Sequence, residues 1–204
     1  MSHSFKAEKT YRYYTTGDDI SSKYVMIVLH GYGQLAKYFI KKFEKCSADY
    51  YVVAPEGPHR FYLQGYSGRV GASWMTKEAR ELDIEDNLNW LNGLLVELQK
   101  NKKYEKIFLL GFSQGGPTAA RWYFQNKSKF QKLILWSSVF PPDIDNKRIS
   151  TTEGNVFVVG LNDEFINESL RKEEIKQYQS LGFETITFKG NHDINGQVLN
   201  DILA

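Results

Sequence analysis

Six short apolar runs punctuate this chain, and each stops at glycine, proline or a pair of serines: Tyr24–Leu29, Tyr50–Ala54, Lys106–Leu110, Lys132–Trp136, Val156–Val159 and Thr185–Phe188. Most are continuous rather than alternating, the pattern of strands buried on both faces. Segments with helical spacing lie between them. Ile84, Leu88, Leu91, Leu95 and Leu98 recur at steps of four and three, and Leu35, Phe39 and Phe43 repeat the pattern over a shorter span. Gln114–Gln125, Phe165–Leu181 and Gly196–Ala204 read as further helices. Alternation of this kind implies a mostly parallel sheet with right-handed crossovers and helices on both faces, an α/β sandwich of three layers. Thr10–Thr15 alternates weakly and reads as an edge strand. Pro55–Lys77 is the longest irregular stretch, and its aromatic residues favour an ordered, functional connection.

The chain has 204 residues, a length that suits one domain over its whole span, 1–204. Hydrophobic residues at 42% and charged residues at 25% exclude wholesale disorder. A net charge of +2 gives no electrostatic reason to expect nucleic acid or an anionic membrane as partner. Cys46 stands alone, which excludes an internal disulfide and any multi-cysteine metal cluster. No run approaches the roughly 20 apolar residues of a membrane span. Met1–Thr16 lacks the apolar core of a secretory signal. The expectation is a cytoplasmic protein with no membrane span and no nucleic-acid partner.

Chemistry concentrates at Gly111-Phe112-Ser113-Gln114-Gly115, which fits G-x-S-x-G. The pattern arises by chance in about one chain in fifteen of this size. Its context is more specific, because it follows a buried-type strand and opens a helix-type segment, as a nucleophile elbow must. Glycines on either side permit strand and helix to approach closely. The backbone N–H of Gln114, at a helix start, is free to meet an oxyanion. A base is then needed. Of four histidines, His192 follows the last predicted strand, where a loop can return over the strand ends. Asp163, after the preceding strand, can orient it. Glu164 beside it, and Asp143 or Asp145 on the earlier loop, are rival acids. His30-Gly31-Tyr32-Gly33 follows the first long strand and offers the Tyr32 N–H as a second oxyanion donor. His30 itself reads as a hydrogen-bonder holding that turn. No histidine pair has metal-ligand spacing, so no metal is expected.

These residues resemble the phospholipase/carboxylesterase family of α/β-hydrolases, the group that includes acyl-protein thioesterases. The resemblance is carried by Leu29–Gly33, Ala54–Pro58, Ser73-Trp74, Gly111–Gly116, Gly160–Asp163 and His192, in that order along the chain. It implies an α/β-hydrolase fold without a cap domain, a Ser113–His192–Asp163 triad, and Tyr32 and Gln114 as oxyanion donors. Pro117 stands where the family often has Ala. Met75 takes the place of a common Asp, and Phe165-Ile166 that of a common Val-Pro. Asn191 replaces the Gly that often precedes the histidine. These departures bear on substrate scope.

The expected activity is cleavage of a small carboxylic ester or thioester through an acyl-enzyme, without a cofactor. An amidase or small-peptide hydrolase on the same triad, and a catalytically silent ligand-binding homologue, are the alternatives. Trp74 and Phe140 emerge at the carboxyl ends of strands, where ligands bind in open α/β sheets, and are expected to line the acyl pocket.

Overall fold

Strands β2 (Tyr24–Leu29) and β6 (Lys106–Phe112) lie side by side at the centre of a sheet, paired in parallel from Tyr24 opposite Lys106 to Leu29 opposite Gly111. The structure, a computed structural model, describes residues 1, 3–46, 49–100, 102–144 and 154–204. The remaining strands are β1 (Tyr13–Thr16), β3 (Tyr50–Pro55), β4 (His59–Tyr62), β5 (Val70–Ser73), β7 (Lys132–Trp136), β8 (Val156–Gly160) and β9 (Glu184–Phe188). Among the described residues, seven strands form the main sheet in the order β1-β3-β2-β6-β7-β8-β9. Only β1 runs antiparallel to its neighbour, at the edge, where its weak alternation suits one-sided burial.

Successive residues of the central strands point to opposite faces, and both faces are covered. Val25, Ile27 and Leu29 of β2, with Leu133 and Leu135 of β7, pack under α2 (Arg80–Leu98), α3 (Gly115–Gln125) and α4 (Glu168–Ser180) through Leu91, Leu95, Trp122 and Tyr178. Met26 and Val28, with Ile134 and Trp136, pack on the other face against Phe39 of α1 (Ala36–Phe39), Phe43, and Leu199 of α5 (Gly196–Leu203). This double burial explains why the strands read as continuous apolar runs. It also makes the three layers expected from the alternation.

The stretch Pro55–Lys77 is not the irregular connection its composition suggested. It folds into an antiparallel hairpin of β4 and β5, with His59 opposite Ser73 and Tyr62 opposite Val70. The hairpin escaped detection because β4 is half exposed, and Gly71 dilutes β5. Two bonds fix it to the turn after β2: Gly33 N–H to Ala72 O at 2.9 Å, and Ala72 N–H to Gln34 O at 3.1 Å. The helix expected over Leu35–Phe43 is a single turn, α1, continued by a tighter turn over Ile40–Phe43.

Strand β6 meets α3 almost without a spacer. A Cβ on Gly111 would stand 2.6 Å from Gly116 Cα and 2.7 Å from Ala119 Cβ. On Gly115 it would stand 2.6 Å from the His30 carbonyl oxygen, which is rigid backbone. Overpacking of this kind costs about 1–3 kcal/mol. Gly115→Ala should therefore lower the urea midpoint by that much stability, with the slope of the transition unchanged.

Candidate active site

All the parallel strands end on one side of the sheet, so the loops after β2, β6, β7, β8 and β9 converge there. Ser113 sits in the turn between β6 and α3 with φ of +51°, a left-handed backbone that L-residues seldom adopt. Such a conformation costs on the order of 1–3 kcal/mol and persists only where the surroundings over-determine it. Here the Ser113 N–H extends the sheet by donating to Trp136 O at 2.9 Å, and the Gly116 N–H donates to Ser113 O at 2.9 Å. The serine is thus locked at the tip of the elbow by a bond on each side.

His192 lies between β9 and α5. Asn195 caps the start of α5, accepting from the N–H groups of Gln197 and Val198. The imidazole Nδ1–H donates to Asp163 Oδ2 at 2.7 Å, and the Asp163 side chain is wholly buried. Asp163 Oδ1 accepts the Phe165 N–H at 3.0 Å, so the carboxylate is held at both oxygens. The ring is packed between Phe112 and Phe165, with centroids 4.9 Å and 4.8 Å away. The His192 N–H donates to Glu164 Oε2 at 3.2 Å, so Glu164 steadies the loop and does not compete for the ring. With Nδ1 committed as donor, Nε2 is the lone-pair nitrogen.

Ser113 and His192 line one cavity of about 640 Å3, together with Gly31, Tyr32 and Gln114. Neither the Tyr32 nor the Gln114 N–H has an acceptor among the described residues. The Gln114 side chain has several. Its Oε1 accepts from the Trp74 N–H at 3.1 Å, and its Nε2 donates to Met75 O at 3.0 Å. This clamp ties the start of α3 to the end of β5, a role for the Gln114 side chain that its place in G-x-S-x-G does not reveal. His30 is the structural hydrogen-bonder expected of it. Its ring is buried, Nδ1–H donates to Gly31 O at 2.8 Å, and Nε2 accepts the Gly57 N–H at 2.9 Å.

Two expectations need correction. Trp74 is fully buried beneath the site, stacked on Trp90 and donating from Nε1 to His30 O at 2.8 Å. Phe140 packs into the core against Tyr178 and Phe183. Neither borders the cavity. Both loops do emerge at the carboxyl edge, but these large rings turn inward to fill the space under α2 and α4. The apolar wall is made instead by Pro117, Val139, Phe165, Ile166 and Leu170. The sequence signal for it was Phe165-Ile166, a departure from the family pattern two residues after Asp163. Of the rival acids, Asp143 is claimed by Arg121, whose Nε and Nη2 reach its two oxygens at 2.8 Å and 2.6 Å. Those bonds hold its carboxyl below the usual carboxylate range. Asp145 lies outside the described residues.

The sequence profile of the phospholipase/carboxylesterase family matches residues 17–204. The chain belongs to this family. Membership points to a hydrolase acting on carboxylic esters. Solved structures with the same fold include Zea mays acyl-protein thioesterase 2, at 16% identity and TM-score 0.67 over 95% of this chain and 99% of that one. A carboxylesterase from Mesorhizobium loti superposes with TM-score 0.71 at 14% identity, over 95% and 94% of the two chains. The Bacillus cereus carboxylesterase gives 0.65 at 17% identity, over 94% and 91%. A probable 1-acylglycerol-3-phosphate O-acyltransferase of Oryza sativa subsp. japonica is 26% identical over 120 residues, 59% of this chain. The chain spans about a quarter, 26%, of that relative's length. Among the described residues, no helix is long and apolar enough to cross a membrane.

Two outcomes follow from these environments. Burial pushes the His30 ring down from 6.5 to about 4. Between those values the unfolded chain binds the extra proton and the folded one does not, so stability is full above the window and falls as pH drops through it. The loss is on the order of 3 kcal/mol. Urea titrations across the window should therefore show a steeper decline for wild type than for His30→Gln. Trp74→Ala and Phe140→Ala should each lose about 3–5 kcal/mol of stability. Their relative rates on short and medium p-nitrophenyl esters should stay unchanged, whereas Phe165→Ala should shift that ratio, by about 10-fold or more.

Proposed function

We propose that this chain is a serine hydrolase that cleaves carboxylic esters or thioesters through an acyl-enzyme. The observation that carries this reading is the Asp163–His192 bond of 2.7 Å on the rim of the cavity that Ser113 also lines. Ser113 is the nucleophile. Its Oγ attacks the acyl carbon while His192 Nε2 takes the hydroxyl proton. Asp163 fixes the imidazole tautomer and stabilises the imidazolium that forms, without itself being protonated. The tetrahedral oxyanion accepts from the N–H groups of Tyr32 and Gln114, both without competing acceptors among the described residues. As the intermediate collapses, the bond to the alcohol oxygen or thiol sulfur breaks and His192 gives its proton to that leaving group. Water then repeats the attack on the acyl-enzyme. It gives a proton to His192, and the carboxylic acid departs as Ser113 regains its proton.

The left-handed backbone of Ser113 suits this role, because strain concentrates where a side chain must be presented free of its neighbours. The acyl chain lies along Pro117, Val139, Phe165, Ile166 and Leu170. The scheme uses no cofactor, and its substrate is a small acyl ester or thioester. Transfer of an acyl group to an alcohol, the activity that the rice relative's name describes, needs only that an alcohol take the place of water in the second half.

A fluorophosphonate should label one serine stoichiometrically, Ser113, and Ser113→Ala should abolish labelling. Labelling of Ser73 or Ser138 with Ser113 intact would overturn the assignment. Asp163→Asn should lower kcat by orders of magnitude with the fold retained, on the scale of about 10⁴ found for the corresponding change in the serine-protease triad. Asp143→Asn should cost stability through Arg121 and leave kcat near wild type.

A further inference from the structure

Trp136 ends β7 inside the sheet, in register with Phe112 of β6 on one side and Val158 of β8 on the other. Its two outward hydrogen bonds run to the two loops that carry the proposed chemistry. The carbonyl oxygen accepts the Ser113 N–H at 2.9 Å. The indole Nε1–H donates to Asp193 O at 3.0 Å, and Asp193 directly follows His192. One residue thus bonds to the backbone of the nucleophile and to the backbone beside the base.

The loop that carries His192 is otherwise held from its far side. The Asn162 N–H donates to Gly190 O at 2.8 Å, the His192 N–H to Glu164 Oε2, and the His192 ring to Asp163. Those partners all lie in the turn after β8. They orient the imidazole and fix its tautomer, but they do not refer it to β6, where the proton must be collected. Toward the nucleophile the loop meets the Phe112 ring and the Trp136 indole. Lys42 pairs with the Asp193 carboxylate at 2.6 Å, but it belongs to the turn that continues α1, and both side chains are partly exposed, where solvent screens an ion pair.

The indole bond has neither weakness. Trp136 is fully buried, and its ring packs edge-on against Phe188 with centroids 5.6 Å apart. Phe188 is the last residue of β9, the strand that leads to His192. An indole N–H can only donate, and a buried one needs an acceptor, which Asp193 O supplies. The Trp136 side chain lies outside the wall of the cavity that holds Ser113.

We infer that Trp136 is a positioning residue for the proposed reaction: through its indole bond to Asp193 O it holds His192 Nε2 within proton-transfer reach of Ser113 Oγ, while its carbonyl seats Ser113. The inference rests on the hydrolase reading and adds the part that couples its two loops. A displacement of about 1 Å between reacting groups costs on the order of 100-fold in rate. Binding of the acyl chain along the apolar wall does not depend on it.

Trp136→Phe removes the indole N–H and leaves the backbone bond to Ser113 in place. Its kcat on p-nitrophenyl butyrate, per site titrated to end point with a fluorophosphonate, should fall by about 10- to 100-fold, with KM within about twofold of wild type. Replacement of the Trp136 indole by benzothiophene, which has the same shape but sulfur in place of N–H, should give the same loss. Trp122→Phe is the matched control. That ring is equally buried, and its Nε1–H donates to Asn92 Oδ1 of α2 at 2.9 Å. It should lower the urea midpoint comparably and leave kcat unchanged. A kcat per site near wild type in Trp136→Phe, or in the benzothiophene variant, overturns the inference, as does an equal loss in Trp122→Phe. If Trp136→Phe fails to fold, the benzothiophene variant decides alone, since it keeps the buried volume. Wild-type protein that neither cleaves the ester nor takes the label at Ser113 would instead overturn the hydrolase reading itself, and the inference with it.

Discussion

The contact between the end of β6 and the start of α3 sets the terms for the rest of the molecule. Gly111 and Gly116 touch almost backbone to backbone, and Gly115 lies against the carbonyls that end β2. No side chain fits there, so the helix is drawn onto the strand ends and the intervening residue is driven into a left-handed turn. That residue is Ser113. The strain is held because the parallel ladder continues through it, with its N–H bonded to Trp136 O. Stability gained by packing a central α/β interface thus pays for an unfavourable serine conformation in the cavity wall.

A second consequence of the same contact is the polar wiring beneath the site. The Gln114 amide reaches the backbone at Trp74 and Met75, the Trp74 indole reaches His30 O, and the His30 ring bridges Gly31 O and Gly57 N–H. These bonds connect the elbow, the turn after β2 and the hairpin through buried groups. Buried polar groups bonded in this way are costly to disturb, because each lost partner leaves a donor or acceptor unsatisfied in a low-dielectric interior. The two proposed oxyanion donors, Tyr32 and Gln114, stand at opposite ends of this wiring. Their spacing is therefore a property of the core and not of two independent loops. His30 must be neutral for the chain of bonds to hold, since it both donates and accepts.

The surface around the cavity divides by chemistry. Apolar side chains gather on the side of α3 and α4, while cations gather beyond Gln34 on the side of α1 and the hairpin. The hairpin is what creates the second flank. Without β4 and β5 packed on residues 33 and 34, Arg60 and Arg69 would not face Lys37 across a common groove.

Much of this was legible in the residues. Continuous apolar runs stopped by glycine reported strands covered on both faces, because a two-sided sheet leaves no polar alternation. The order of Ser113, Asp163 and His192 along the chain, each just after a strand, pointed to the candidate site, because parallel strands deliver all their carboxyl ends to one edge. Periodicity could not report the β4–β5 hairpin, whose strands are short, β4 being half exposed and β5 interrupted by Gly71. Nor could it tell Asp163 from Asp143: both follow strands, and only three-dimensional packing sets one against His192 and the other against Arg121. The direction of an aromatic side chain is equally invisible in one dimension. Trp74 and Phe140 leave the sheet where a ligand would sit, yet turn into the core because α2 and α4 leave large apolar volumes there to fill. Phe165 faces the cavity, since its N–H is tethered to Asp163 and its ring packs on His192. Sequence determined the fold and the chemistry available at the strand ends, both set by local pattern and chain order. Tertiary structure decided which side chains meet there, because that depends on which buried volume each one fills.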